Sequence, residues 1–458
     1  MLKKLFFLSL CLLFICPATN ASNGVIVEPE TIRIGLSQGV QKVEFSVSGS
    51  CQLIDSSANR VLGSALKNDR WQVTKEGNQL LLFKNGNLVN SIYGSLHLLG
   101  NKLEVGIASG SGSVTNRSGE GEKEELVILG ANNKSISKHN LTGSEVLSAS
   151  GRSTLNKTED QNLIRVYNGE SSARYRGDLE IRPDDLGLTV INELPFEEYI
   201  YSVLPSEMPS AWPAEALKAQ AVAARSYSLA QLRSYSKYGF DLLASQTSQV
   251  YKGFDWENPA TNSAVQATSG QIMTYRGQAV DAVFHSSSGG YTENSEDVWS
   301  NTVDYLRARP DTADQNNNHY NWSVTYTQEQ LTNLINKAGY KFSRVTDLIE
   351  VERTSTGARV KKMSFVGFDT DSNPITEDIY NSNAVRMVLG LKSAMITLNK
   401  KFDDSQNLLE VTIQGNGWGH GLGMSQYGAL GLAKQGYNYQ SILKYYYTGV
   451  EISGSYGG

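Results

Sequence analysis

The stretch from Tyr199 to Ser236, YIYSVLPSEMPSAWPAEALKAQAVAARSYSLAQLRSYS, constrains this chain more than any other. Its prolines predict a short loop that holds Glu207 between Pro205 and Pro209, followed at once by a long helix. Pro213 suits the first helical position, where its missing N–H costs nothing. Glu215 falls in the first turn, where the helix dipole favours an acid. Leu217, Ala221, Ala224, Ser228 and Leu232 recur at spacings of three and four, which marks one apolar or small stripe. The alanines between Ala214 and Ala224 let other backbones approach, so the pattern predicts a helix buried on more than one side. A carboxylate just before such a helix is either a cap or solvated charge, or a functional acid. Spacing alone favours the first.

The chain has 458 residues, enough for a sizeable core and for two or three domains. A net charge of −5 and the lack of any basic block argue against a nucleic-acid partner. Met1 to Ala21 reads as a signal peptide. Lys3 and Lys4 precede an apolar run, Leu5 to Ile15, that is too short to span a bilayer, and Thr19-Asn20-Ala21 offers a small-residue cleavage site. The alternatives are a lipoprotein signal ending at Cys16, although Ile15 is large for the position before it, and an uncleaved anchor. Cleavage implies an extracytoplasmic protein: secreted, periplasmic or attached to the cell wall. It also leaves Cys51 as the sole cysteine, which excludes an intrachain disulfide and a cysteine-based zinc site. Cys51 itself reads as a small buried residue.

Residues 22–160 read as a β-rich N-terminal region. TIRIGL, KVEFSVSG, WQVTKEGNQLLLF and KLEVGIA are short alternating or β-branched runs. Gly106 to Glu125 is rich in Gly, Ser and charge, as a flexible insertion would be, and Asn132 to Gln161 is polar and aperiodic. The β pattern resumes at Leu163, which places a boundary near 160 and a second domain at 161–458. There, helical runs at Asn258–Thr268, Gln328–Ala338, Asn381–Leu389 and Tyr439–Val450 mix with strand runs such as Leu348–Phe368 and a hairpin turning at Tyr275–Gln278. No βαβ period appears, so the fold class is α+β.

Three blocks carry a resemblance. They are YSVLPSEMPSAWPAEALKAQAVAARSY at 201–227, FHSSSGGYTE at 284–293 and GNGWGHGLGMSQYGA at 415–429. In this order they resemble the SpoIID/LytB domain family, named for a sporulation cell-wall enzyme and an amidase enhancer. The resemblance implies a domain in which a long buried helix follows the catalytic loop. It implies a peptidoglycan lytic transglycosylase with Glu207 as the catalytic acid, glycan strands as substrate, and a cell-wall amidase as a further partner. The alternative it carries is a non-catalytic, glycan-binding amidase enhancer. Some relatives place Cys beside the His of the second block and bind zinc; here the neighbours are Ser, so no metal or other cofactor is expected.

Glycosidases ordinarily use two carboxyl groups. A lytic transglycosylase needs one, because the C6 hydroxyl of the substrate's own muramic acid attacks. A single Glu in a partly apolar pocket suits this, since burial raises its pKa toward the working pH; Pro205, Met208, Pro209 and Trp212 would form its walls. Arg225 and Tyr227 match the family's A-A-R-x-Y segment. Arg225 would bind a lactyl carboxylate or sugar amide through its planar fork, or else pair with an acid. His285 does not form a nucleophilic pair with its neighbours, because adjacent strand residues point to opposite faces and no G-x-S-x-G elbow is present. His285, Ser286 and Ser287 are expected to line the glycan groove. The alternating glycines from Gly415 to Gly423 lack the ending of a P-loop and the setting of a dinucleotide fingerprint, so no nucleotide is expected. They would bring Trp418 and His420 against a sugar, with Gln426 and Tyr427 opening the next helix on the same cleft, or would merely permit a buried crossing beside the helix after Pro213.

Overall fold

The computed structural model describes residues 31–100 and 163–453, apart from position 316, together with short strand fragments between 107 and 154. The expected signal peptide, Cys11, Cys16 and most of the expected insertion lie outside the described residues. Among the described residues no helix is long and apolar enough to cross a membrane.

The architecture is mixed α+β. Eight strands open it: β1 (Thr31–Val40), β2 (Lys42–Val47), β3 (Ser50–Asp55), β4 (Arg60–Leu66), β5 (Trp71–Glu76), β6 (Gln79–Lys84), β7 (Asn87–Ile92) and β8 (Leu96–Gly100). Period-two alternation sets their faces: in β2, Val43, Phe45 and Val47 are buried while the residues between are not. They build two sheets that do not stop at residue 160. In a seven-stranded sheet β1 pairs antiparallel with Leu188–Pro195, matching Ile32 to Leu194, and β8 pairs with Asp178–Pro183. In a six-stranded sheet β2 pairs with Ile164–Asn168, matching Phe45 to Val166. Their facing sides share one apolar core that includes Val43, Phe45, Leu53, Leu82, Ile164, Leu179 and Val190. The boundary expected near 160 therefore falls inside a common sandwich. The polar stretch that suggested a linker joins two strands of that sandwich.

A second core is arranged around helices. Helix α1 (Phe196–Glu207) follows the strand Leu188–Pro195 directly, and α2 (Ala214–Ala230) follows α1. Glu207 is the last residue of α1, not part of a loop, and Pro205 lies inside the helix. An interior proline normally breaks a helix. Here it sits in the final turn, and Tyr199, Ile200, Val203 and Leu204 anchor that turn in the core. Helix α2 is buried on most of its circumference, as the alanine run predicts: Ala216, Ala219, Ala221, Ala223 and Ala224 are all inaccessible to solvent. It packs against α1, α3 (Pro259–Ala267) and the helices Gln426–Lys434 and Tyr439–Tyr446. Glu215 serves two helices, accepting from Lys218 Nζ at 2.7 Å and from the Tyr439 N–H at 2.8 Å.

The remaining core lies between two three-stranded sheets, one of Asn321–Thr327, Leu408–Asn416 and Ile396–Phe402, the other of Arg344–Arg353, Val360–Phe368 and Pro374–Tyr380. The helices Gln328–Lys337 and Ser382–Val388 cover it, with Leu331, Ile335 and Val385 buried. Thr327 and Gln330 close a reciprocal capping box at the start of the first of these.

The shared sandwich makes a prediction about truncation. A chain starting at residue 161 loses β1 to β8 and leaves the apolar faces of Ile164–Asn168, Asp178–Pro183 and Leu188–Pro195 uncovered. It should be insoluble or lack a cooperative thermal transition, whereas a chain starting near residue 22 should melt as a folded protein. Circular dichroism of the two purified chains checks this.

Candidate active site

Glu207 is half-buried at the C-terminal end of α1. Its Oε1 accepts the Val250 N–H at 3.0 Å, and its backbone carbonyl accepts the Gln426 side-chain amide at 3.1 Å. Burial pushes the carboxyl above its ordinary range, outweighing the Val250 and Gln426 hydrogen bonds and the nearby Lys252 charge, which favour ionisation. The location reinforces this, since the carbonyl end of a helix disfavours a negative charge. Both effects favour the protonated form of Glu207 over the ionised one. The same charge is felt by Tyr199 and Tyr227, whose hydroxyls are held well above their usual pKa chiefly by burial.

A row of aromatic rings leads away from this acid. Trp212, just past α1, lies 5.1 Å from Tyr427, next to Gln426. Tyr427 lies 5.8 Å from His319, and His319 meets Trp418 edge-on at 4.4 Å. Trp418 is 42% exposed, and Lys392 Nζ lies 5.3 Å from its ring centroid. Flat, partly exposed rings are what the C–H faces of sugars pack against. The structure therefore brings Glu207, Trp418, Gln426 and Tyr427 to one region, with Tyr227 close by on α2. His319 belongs to the same row and escaped the sequence reading, because it sits in an Asn-rich polar segment with no motif around it.

Three expected contacts, Arg225, His285 and Ser287, turn inward. Arg225 is inaccessible to solvent; its fork holds Glu197 at 2.7 and 2.9 Å and the Gln271 carbonyl at 2.9 Å. With all its donors directed into the core it does not face a glycan. His285 is buried, with Nδ1 3.0 Å from the Leu422 carbonyl and its ring 5.5 Å from His420. Burial drives its pKa well below the usual value, so it is a neutral core residue. Ser287 is also inaccessible and donates to Asp314 at 2.7 Å. Ser286 contributes its carbonyl to the Tyr427 N–H at 3.0 Å. His420 is half-buried, accepts the Leu422 N–H at 2.9 Å and lies tilted against Trp299 with ring centroids 5.4 Å apart; burial, helped by Arg386 and Arg359, lowers its pKa to about 3.

These inward residues support the glycine-rich loop. Ser287 and Trp418 exchange backbone hydrogen bonds of 3.0 and 2.8 Å, so the loop crosses beside the Phe284–Gly290 segment. A Cβ on Gly419 would lie 2.5 Å from the His285 Cβ, and one on Gly421 would lie 2.6 Å from the Arg359 guanidinium carbon. Both glycines have positive φ, at 123° and 85°. The close approach and the backbone shape both demand glycine there.

Four other acids of this half are committed elsewhere. Glu293 is fully buried and bound by Arg359, Thr354 and Thr356. Asp297 takes the Ser355 N–H and Lys361, Asp255 takes Arg174, and Asp241 takes the Arg33 N–H. Among the described residues no three of His, Cys, Asp and Glu converge as a metal site requires.

Residues 184–275, which hold α1, α2 and Glu207, match the family model described as Stage II sporulation protein. Stage II sporulation protein D of Bacillus subtilis is 32% identical over 278 residues, covering 57% of this chain and 76% of that protein. The chain belongs to the SpoIID family. The amidase enhancer of B. subtilis is 36% identical over 296 residues, and the match spans 55% of this chain but only 40% of that longer protein. An uncharacterized protein of Brachyspira hyodysenteriae is 34% identical over 282 residues, or 61% of this chain and 72% of its own length. Residues 290–423, which contribute His319 and most of the glycine-rich loop, match a second model described only as a domain of unknown function.

The buried pair generates a prediction. Arg225→Ala leaves Glu197 buried without its partner and should cost about 3–5 kcal/mol, read as a lower denaturant midpoint. Arg225→Met combined with Glu197→Leu should recover most of that loss. A glycan-contacting arginine would instead lose substrate binding with stability unchanged.

Proposed function

We propose that this SpoIID-family protein cleaves peptidoglycan glycan strands by lytic transglycosylation, with Glu207 as the single acid and base. The observation that carries the reading is the setting of Glu207: a carboxyl whose pKa burial raises, at a helix end that leads to a row of partly exposed rings. The commitment of Asp241, Asp255, Glu293 and Asp297 to other partners supports a one-carboxyl route. Glu207 gives its proton to the glycosidic oxygen as the C1–O bond breaks, and the departing sugar leaves with a hydroxyl. The resulting carboxylate takes the proton of the muramic acid C6 hydroxyl while O6 bonds to C1. Glu207 ends protonated, no water is consumed, and the new end is a 1,6-anhydro sugar. Tyr427, Trp418 and His319 hold the strand in register, and Gln426 fixes the end of α1. On this reading the protein works outside the cytoplasm, where its substrate lies.

A second reading rests on the 36% identity to a protein named amidase enhancer: the same surface grips glycan and assists an amidase without cutting.

Glu207→Gln should abolish cleavage and keep the fold, since an amide has the shape but no acidic proton. Mass spectrometry of digested glycan should find every new end 1,6-anhydro, with no borohydride-sensitive fraction above background. Abundant reducible ends would make the protein a hydrolase, and no new ends from the wild type would favour the second reading. The proton also sets a pH dependence. Because the folded-state pKa is raised, cleavage should fall as pH rises through that value. Over the same window wild-type stability should decline relative to Glu207→Gln, so the melting-temperature advantage of the amide variant should grow with pH and vanish below the ordinary carboxyl range.

A further inference from the structure

Helix α2 buries an uncharged amide inside its alanine run: Gln220, between Ala219 and Ala221, is inaccessible to solvent. Its Oε1 lies 3.5 Å from Gln426 Nε2, while its own Nε2 is buried with no hydrogen-bond partner among the described residues. A buried donor left idle is costly, and an apolar side chain of the same length would avoid that cost. The orientation follows from the neighbour, because turning the Gln220 amide over would set two N–H groups against each other. Gln426 opens its helix behind the Ser425 cap, is itself buried, and gives the same Nε2 to the Glu207 carbonyl at 3.1 Å. One amide thus joins α1, α2 and a third helix. An amide nitrogen carries two N–H donors. Three acceptors compete for those of Gln426: the Glu207 carbonyl, Gln220 Oε1 and the Glu207 carboxyl, whose ionised form a Gln426 hydrogen bond favours. A hydrogen that Gln220 takes is withheld from the carboxylate.

We propose that Gln220 is a positioning residue for the Glu207 proton: it draws the Gln426 amide away from the Glu207 carboxyl and so keeps that carboxyl a proton donor. Gln220 acts only through Gln426. The other groups that act on Glu207 are the Val250 N–H, the Lys252 charge and the rings of Tyr199 and Tyr227. Burial keeps both tyrosine hydroxyls neutral. The Val250 N–H is fixed by the backbone, and the Lys252 ammonium rests over the Trp256 ring, 3.4 Å from its centroid. Of the three groups that favour ionisation, Gln426 is the one whose hydrogens a neighbouring side-chain acceptor can claim. Gln220 therefore tunes the acid without carrying a charge near it. The effect on rate rests on the glycan-cleavage reading; the effect on the Glu207 proton does not.

The test uses the full chain with glutamate labelled at the carboxyl carbon, so that Glu207 is titrated by NMR without any need for cleavage; its signal is the one that Glu207→Gln removes. In Gln220→Met both Gln426 donors are free to serve Glu207, the ionised form gains, and Glu207 should titrate about one pH unit lower than in the wild type. The alkaline limb of kcat for glycan cleavage should move down by the same amount with KM unchanged. Gln220→Glu keeps an acceptor in the same place and should hold the titration at the wild-type position or above it. In a chain carrying Gln426→Met, adding Gln220→Met should shift nothing, since the two act as one unit. A Glu207 titration unmoved by Gln220→Met overturns the proposal. So does a shift that survives Gln426→Met, or an equal downward shift in both Gln220 variants, which would mark loosened packing instead of a lost acceptor. Should Gln220→Met fail to fold, Gln220→Glu decides alone, and a titration below the wild type overturns the proposal. A chain that shows these shifts yet cuts no glycan keeps the positioning role and removes the transglycosylase reading, so the two fail separately.

Discussion

The ion pair between Arg225 and Glu197 holds the rest of the site in place. One guanidinium, shut off from water, joins the middle of α2 to the first turn of α1, and through the Gln271 carbonyl to the segment entering the strand Ile272–Tyr275. Glu197 in turn accepts the Gly270 N–H at 3.3 Å. Buried charges of this kind are costly to desolvate and rarely add net stability over an apolar replacement. What this pair supplies is direction. It fixes α1 at its start, so the far end of that helix delivers Glu207 to Val250 and Gln426 and nowhere else.

A second buried arginine plays the matching part on the other side. Arg359 binds Glu293 and the carbonyls of Ser288 and Tyr291, while Asp314 gathers Ser287, Ser288, the Gly289 N–H and Ser425. Together they pin the Phe284–Gly290 segment under the glycine-rich loop, which lifts Trp418 to the surface. Asp311 belongs to this cluster; burial and the neighbouring Asp314 push its carboxyl up to about 7, and it is bonded by Tyr446 at 3.0 Å. The acid and the aromatic row thus rest on separate polar anchors that meet at Gln426.

Much of this was legible in the chain. The helix of α2, its burial on several sides, and the short helices after residue 258 follow from alanine content, periodicity and caps. Motif order pointed to Glu207. What patterns could not resolve was direction. Ser287, His285 and Arg225 look like binding groups by type, yet long-range partners, Asp314, Leu422 and Glu197, draw them into the core. Pro205 reads as a breaker, and only the tertiary anchoring of its neighbours keeps it helical. The boundary near 160 failed for a related reason: strand pairing across a long polar stretch leaves no local mark. His319 carries no motif of its own and becomes visible only through the rings it sits beside.

The sandwich also imposes an order of events on folding. Strand β1 lies between Leu188–Pro195 and the short parallel strand Leu242–Leu243, and the Arg33 N–H bonds Asp241, 208 residues further along. The earliest described strand therefore has no partner in its own sheet until residues 188–195 have been made, and its second edge waits for residue 242. Contacts of such long range are slow to form, because loop closure must precede any gain from pairing. Helix α1 continues directly from one of the strands that β1 must find, so the acid comes into position only when the sheet closes. A chain in which β1 has not yet found Leu188–Pro195 leaves the start of α1, and with it Glu207, without its frame.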